Sequence, residues 1–241
     1  MNRINIMKTE LMDTIKFEGE FIMKNVAVIL SGCGYLDGAE IRESVLTLLA
    51  LDTESVNYKV FALNKNQHHV VDHLTGEEVS GATRNILEES ARIARGNVED
   101  LANLNATEFD ALVMPGGFGV AKNMCTFAFD GSGGSVDEQA VVKIKDFKAA
   151  SKPIGAICIA PALVALSIGD QSPTLTIGSD EGIASELEKL GAKHQNCETS
   201  ECVVDEANKI VTTPAYMDDD ANLADVYSGI SKLIKNILRL A

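Results

Sequence analysis

From Val26 onward the chain alternates short, wholly apolar runs with longer stretches in which apolar residues recur every three or four positions. Val26-Ala27-Val28-Ile29-Leu30 has no polar alternation, which marks a strand covered on both faces. Ser31-Gly32-Cys33-Gly34 closes it. Asp37-Gly38-Ala39-Glu40 then opens a helix, with Asp37 as N-cap and Glu40, three residues on, as its capping-box partner. Ile41, Val45, Leu48 and Leu49 form the apolar stripe of that helix. The same rhythm predicts strands at 58–63, 111–114, 153–157 and 175–177, and helices at 83–95, 136–150, 160–167 and 184–190. Segments 202–204 and 210–212 flank Asp205-Glu206-Ala207-Asn208 as a hairpin-like pair, and an amphipathic helix at 221–240 ends the chain. Strands alternating with helices imply a mostly parallel sheet with helices on both faces, in one α/β domain. Ligands of such domains bind beyond the carboxyl ends of the strands, so the turns after the strands are where function is expected.

Composition narrows the choice. At 241 residues and 46% hydrophobic, the chain can bury a full core. Its 21 basic against 35 acidic residues leave a net charge of −14, which argues against nucleic acid as a partner. No run reaches the roughly 18 apolar residues of a membrane span. Five cysteines with no CxxC spacing fit free thiols in a reducing compartment, and a cytoplasmic location is expected. Residues 1–22 precede a second methionine, Met23. They read as an N-terminal extension, being a poor mitochondrial presequence and too polar for a signal peptide, so the domain is expected over 23–241. His69 and His73 stand four apart without an HExxH pattern, a weak metal signal set against a solvated surface. A dinucleotide fingerprint from Gly32 fails at Asp37, and no phosphate-binding GxxxxGK[ST] occurs. Neither metal nor cofactor is expected.

Three turns carry the candidate chemistry. In Gly155-Ala156-Ile157-Cys158-Ile159-Ala160-Pro161, a thiol between an apolar strand and a helix start has the placement of a nucleophile elbow. The helix N-terminus is expected to lower its pKa, and small Gly155 and Ala160 to let the turn close. The competing reading is a buried core cysteine. In Pro115-Gly116-Gly117-Phe118-Gly119, successive glycines are placed to aim backbone N–H groups into a pocket, where that of Ile159 joins them as an oxyanion hole. The turn after the first strand leads to two carboxylates. Glu40 is occupied as cap partner, whereas Glu43 has no local task and is either an acid/base beside the thiol or an exposed helix glutamate. The only histidine after Cys158 is His194, in a surface turn, so a Cys-His glutaminase triad is poorly supported.

These motifs, in this order, resemble the ElbB family, also called enhancing lycopene biosynthesis, sigma cross-reacting or ES-one proteins. The family lies in the ThiJ/PfpI branch of the class I glutamine amidotransferase-like superfamily. The matching segments include Ser31-Gly32-Cys33-Gly34, Asp37-Gly38-Ala39-Glu40-Ile41, Pro115-Gly116-Gly117-Phe118-Gly119-Val120-Ala121-Lys122-Asn123 and Cys158-Ile159-Ala160-Pro161-Ala162. His73-Leu74-Thr75-Gly76-Glu77 and the run from Val203 to Met217 extend the match. The resemblance implies a flavodoxin-like three-layer sandwich, a homodimer, and Cys158 in the active site with Glu43 beside it, Glu40 being the reserve. Cys33, Gly116 and Asn123 are candidates to line the pocket. Many relatives carry a histidine where this chain reads Leu175-Thr176-Ile177-Gly178, and that departure leaves a Cys158–Glu43 dyad. The activity implied is a glyoxalase that needs neither glutathione nor metal and acts on small aldehydes. Its rival is a non-enzymatic cysteine redox sensor or partner-binding regulator.

Overall fold

The computed structural model describes residues 23–241, and the extension read at residues 1–22 lies outside them. In chain order the elements are β1 (Asn25–Leu30), α1 (Ile41–Thr53), β2 (Asn57–Ala62), α2 (Ile86–Ile93), β3 (Val98–Asp100), β4 (Ala111–Met114), α3 (Glu138–Ala149), β5 (Ile154–Ile157), α4 (Ala160–Ile168), β6 (Thr174–Leu175), α5 (Glu181–Lys189), β7 (Lys193–His194), β8 (Val203–Asp205), β9 (Ile210–Thr213) and α6 (Leu223–Leu240).

Seven of the strands form one sheet in the order β3-β2-β1-β4-β5-β9-β8. All its pairings are parallel except that of β8 with β9. Successive residues of β1 point to opposite faces, as a pleated strand requires. Val26, Val28 and Leu30 meet α1 and α6, while Ala27 and Ile29 join the core under α3 and α4. The result is the flavodoxin-like three-layer sandwich. The apolar stripe of α6 runs through Val226, Ile230, Leu233, Ile234 and Ile237, all fully buried, and each contributes about 1.5–3 kcal/mol. Gly155, expected to ease the elbow, has a different task. A Cβ there would lie 2.9 Å from Leu233 Cδ2, so its lack of a side chain admits α6 against β5.

Caps explain where the observed helices begin. Asn85 accepts from the N–H groups of Leu87 and Glu88, so α2 starts at Ile86 rather than 83. Asp180 accepts from Ile183 and starts α5 at Glu181 rather than 184. The edge strand β3, Val98-Glu99-Asp100, was not expected, because one apolar residue in three gives no pattern; its ladder to β2 makes it a strand.

The largest correction concerns α1. Asp37 does not cap it. The Gly34–Ala39 segment folds back on itself through Gly38 N–H to Gly34 O (2.6 Å) and Gly34 N–H to Ala39 O (2.9 Å). Asp37 is buried there, and its Oδ2 accepts from Gln67 Nε2 (3.0 Å) and Val71 N–H (2.8 Å). The cap is Glu40, whose Oε2 accepts from Glu43 N–H at 2.6 Å. Of the expected stripe only Leu48 packs, partly buried, against the core. Ile41, Val45 and Leu49 are 45–49% exposed, whereas Glu43, Ser44 and Thr47 face the protein interior. The hydroxyls of Ser44 and Thr47 donate to carbonyls one turn back, which removes the penalty for burying them.

Beyond β1 and β4, two turns are locked together backbone to backbone. Glu40 N–H donates to Gly116 O (3.0 Å), Gly119 N–H to Gly38 O (2.8 Å) and Phe118 N–H to Tyr35 O (2.7 Å). A Cβ on Gly119 would lie 2.5 Å from both Gly38 C and Ser31 O, with no flexible side chain to yield. Gly119→Ala is therefore expected to lower stability by about 1–3 kcal/mol in urea unfolding. An unchanged midpoint would show that the two turns part freely.

Candidate active site

Four turns at the carboxyl ends of β1, β4, β5 and β9 converge, beside the point where the chain order reverses between β1 and β4. Cys158 ends β5 and holds φ +60°, a left-handed conformation that side chains other than glycine rarely adopt. Its N–H is anchored to Thr213 O at 3.0 Å, and only 7% of the residue is exposed. Cys158 and the Glu43 carboxyl lie side by side against Gly116, where a Cβ would meet Cys158 Cβ at 2.4 Å and Glu43 Oε2 at 2.7 Å.

Of the two candidate glutamates, the structure brings Glu43 to the thiol and leaves Glu40 as the cap. Glu43 is fully buried. Its Oε2 accepts from Gly116 N–H at 2.9 Å and its Oε1 from Tyr216 N–H at 3.2 Å. Tyr216 was missed by sequence reasoning, although Pro214-Ala215-Tyr216 directly follows β9 and the rule of post-strand turns covers it. Ala215 also holds a positive φ, +47°. Two strained residues thus flank the carboxyl, one presenting the thiol and the other turning Tyr216 N–H toward Glu43.

Burial governs the electrostatics. It raises Glu43 to about 8, with the charge of Glu40 adding to the rise and the hydrogen bonds opposing it. Burial also raises Cys158 well above the usual thiol range, and the Glu43 carboxylate raises it further. The Gly117 and Ile159 N–H groups act the other way without prevailing. The expected low-pKa thiol is therefore not what this site holds. Ionising either group makes ionising the other harder, so the pair carries at most one negative charge.

The other candidates lie elsewhere, apart from Gly116, which donates to Glu43. Cys33 faces Glu89, Arg92, Asp37 and Arg84, with burial raising its pKa. Asn123 clamps three backbone segments, donating to Ser31 O (3.2 Å) and Asp37 O (2.9 Å) and accepting from His68 N–H (2.8 Å). Cys125 is buried against Val120 O. His194 Nε2 accepts from Ile177 N–H at 3.4 Å. His69 and His73 lie in a loop rather than on a helix, at Glu78 and Asp37 respectively. Among the described residues no group of three His, Cys, Asp or Glu is arranged to hold a metal ion. A cavity of about 460 Å³ adjoins the Glu43-holding turn through Pro214 and Met217 and is also lined by Asp180, Cys197 and Asp218. A larger one, about 710 Å³, is lined by residues that include Asn105, Thr107 and Lys152. It sits at the amino ends of β4 and β5, across the sheet from the thiol.

A model of the DJ-1/PfpI family matches residues 37–225. Glutamine amidotransferase-like class 1 domain-containing protein 3, mitochondrial, of Homo sapiens is 43% identical over 224 residues, covering 89% of this chain and 82% of that protein. ES1 protein, mitochondrial, of Danio rerio is 34% identical over 231 residues, covering 90% and 86%. Among solved structures, an isoprenoid biosynthesis protein with amidotransferase-like domain from Ehrlichia chaffeensis matches with a TM-score of 0.83 and 46% identity, over 90% of this chain and 99% of that one. Drosophila melanogaster DJ-1beta, at 18% identity and a TM-score of 0.55 over 91% and 96%, shares the fold. No helix among the described residues is long and apolar enough to cross a membrane.

The raised carboxyl makes stability depend on pH. Glu43 goes from an ordinary 4.5 to about 8 in the fold, so its contribution is fully present below about pH 4.5 and is lost as pH rises through 8. Between those limits each pH unit removes up to about 1.4 kcal/mol. Glu43→Gln loses a hydrogen bond at every pH but does not titrate. Its stability relative to wild type is expected to improve steadily from about pH 5 to pH 8; a constant gap would mean that Glu43 is ionised throughout.

Proposed function

The chain belongs to the DJ-1/PfpI family and carries its glutamine amidotransferase-like class 1 domain, and from that premise we propose that it is an ElbB-type enzyme that converts glyoxal to glycolate without glutathione or metal. Methylglyoxal to lactate is the homologous reaction. The observation that carries this reading is the buried Cys158–Glu43 pair, packed together against Gly116. The ElbB-type reading draws on the sequence motifs and on the Ehrlichia chaffeensis protein, whose description names isoprenoid biosynthesis.

The reaction is an internal redox exchange and needs no oxidant. Sulfur adds to one aldehyde carbon of glyoxal while its proton passes to Glu43, and the new oxyanion takes the Gly117 and Ile159 N–H groups before it is protonated. Glu43, again a carboxylate, removes the hydrogen from that carbon and returns a proton to its neighbour through an enediol. One carbon is oxidised to a thioester and the other reduced to an alcohol. Water then cleaves the C–S bond, releasing glycolate and the thiol. A glutaminase reading lacks a base, since the ring nitrogen of His194 is engaged by Ile177.

Incubating the protein with glyoxal alone and following glycolate tests the proposal. Wild type is expected to turn over and Cys158→Ala to lose activity to background. Because Glu43 works as a base with a pKa of about 8, kcat/KM is expected to rise about tenfold per pH unit below it and to level off near it. Equal traces of glycolate from wild type and Cys158→Ala would overturn the enzyme reading and favour the redox sensor or partner-binding regulator.

We propose that the chain forms a homodimer. We place its contact on the outward stripe Ile41, Val45 and Leu49 of α1. Val45→Asp is expected to halve the mass seen by sedimentation, while an unchanged mass would move the contact elsewhere.

A further inference from the structure

Two cysteines outside the active site flank one tight turn. Glu201 N–H donates to Glu198 O at 2.9 Å, closing a β-turn over residues 198–201. A β-turn holds its end residues within about 7 Å, Cα to Cα, which brings the residues one step outside it near each other. A disulfide between them requires Cα atoms roughly 4.4–6.8 Å apart. Here those residues are Cys197 and Cys202.

The turn is held from several sides. Thr213 Oγ1 donates to Glu201 O (2.7 Å), Ser228 Oγ to Ser200 O (3.2 Å) and Thr199 Oγ1 to Asp218 Oδ2 (3.0 Å). Gly229 leaves room for Thr199 O, which a Cβ would meet at 2.3 Å. Both thiols are free and partly exposed, and Cys197 lines the 460 Å³ cavity beside the active site. Burial raises Cys197 to about 11, and the charge of Cys202 is the next cause, so the two thiols lie near enough to feel each other's charge.

We propose that Cys197 and Cys202 form a reversible dithiol–disulfide pair, oxidised by low-molecular-weight disulfides. One thiolate attacks the small disulfide, forming a mixed disulfide and releasing one thiolate. The second cysteine attacks the protein sulfur of that bond, closes the ring and releases the other. Two protein thiols are oxidised, one small disulfide is reduced to two thiols, and the two cysteine protons end on them. With both thiols above the usual range, the exchange is slow at neutral pH and accelerates as pH rises. The ring lies two hydrogen bonds from the nucleophile, through Glu201 O to Thr213 Oγ1 and Thr213 O to Cys158 N–H.

Trypsin releases both cysteines on one peptide, residues 194–209. The native protein is treated with oxidised glutathione, blocked with iodoacetamide and digested. The peptide is expected two hydrogen masses light, without alkylation, and restored by dithiothreitol. Cys197→Ser and Cys202→Ser are each expected to give a glutathione adduct on the remaining cysteine. Closure is expected about tenfold faster one pH unit higher. Two alkylated thiols or stable glutathione adducts from native protein, while the same peptide closes in urea-unfolded protein, would overturn the proposal. The readout does not involve turnover or Cys158, so it stands apart from the glyoxalase reading.

Discussion

A fully buried carboxyl needs partners for both oxygens, and Glu43 finds them only where four turns meet. Gly116 N–H, Tyr216 N–H and the Cys158 thiol come from the ends of three different strands, and the side chain itself descends from the helix after a fourth. Leaving such a group unsatisfied would cost several kcal/mol, so everything around it is arranged to avoid that. The helix is rotated to present Glu43 inward. Ser44 and Thr47 are buried with it and use their own backbone carbonyls as acceptors. Ile41, Val45 and Leu49 are turned outward while Ala50 and Leu51 stay buried, and Glu40, whose backbone N–H donates to Gly116 O, caps the helix.

The same constraint explains the strain at the site. Cys158 and Ala215 both adopt conformations that favour glycine. Straightening either would withdraw a donor or the thiol from Glu43. Stabilisation from the sheet and from α6, whose apolar stripe is fully buried, offsets these local costs, so a rigid scaffold supports a site that would not hold together alone.

Much of the framework was legible from residue pattern, and the reasons for the misses are physical. Unbroken apolar runs such as Ala111–Met114 announce buried parallel strands, and a cysteine at the end of one announces the elbow. Pattern fails where a polar group is the buried one. In α1 the rule that apolar residues face inward misplaces Ile41, Val45 and Leu49, because a buried carboxyl held by two backbone N–H groups takes part of the inner face beside Ala50 and Leu51. Asp37 looks like a cap by type and position, yet its Oδ2 is taken by Gln67 and Val71, some thirty residues away. The thiol pKa was misjudged for a related reason. A helix start is visible in sequence, whereas complete desolvation and a neighbouring carboxylate appear only in three dimensions.

The glycine-lined contact between the β1 and β4 turns bears on how such a chain can be altered. Gly38, Gly117 and Gly119 touch backbone to backbone, although nearly eighty residues of sequence lie between the two turns. Any exchange of segments between relatives with a crossover inside that interval would join one protein's first turn to another's second. The active-site rim would then depend on two backbones never selected to fit. The two turns are in effect a single heritable part, and a chimera has to keep them together with the 67–71 segment that holds Asp37 and Asn123.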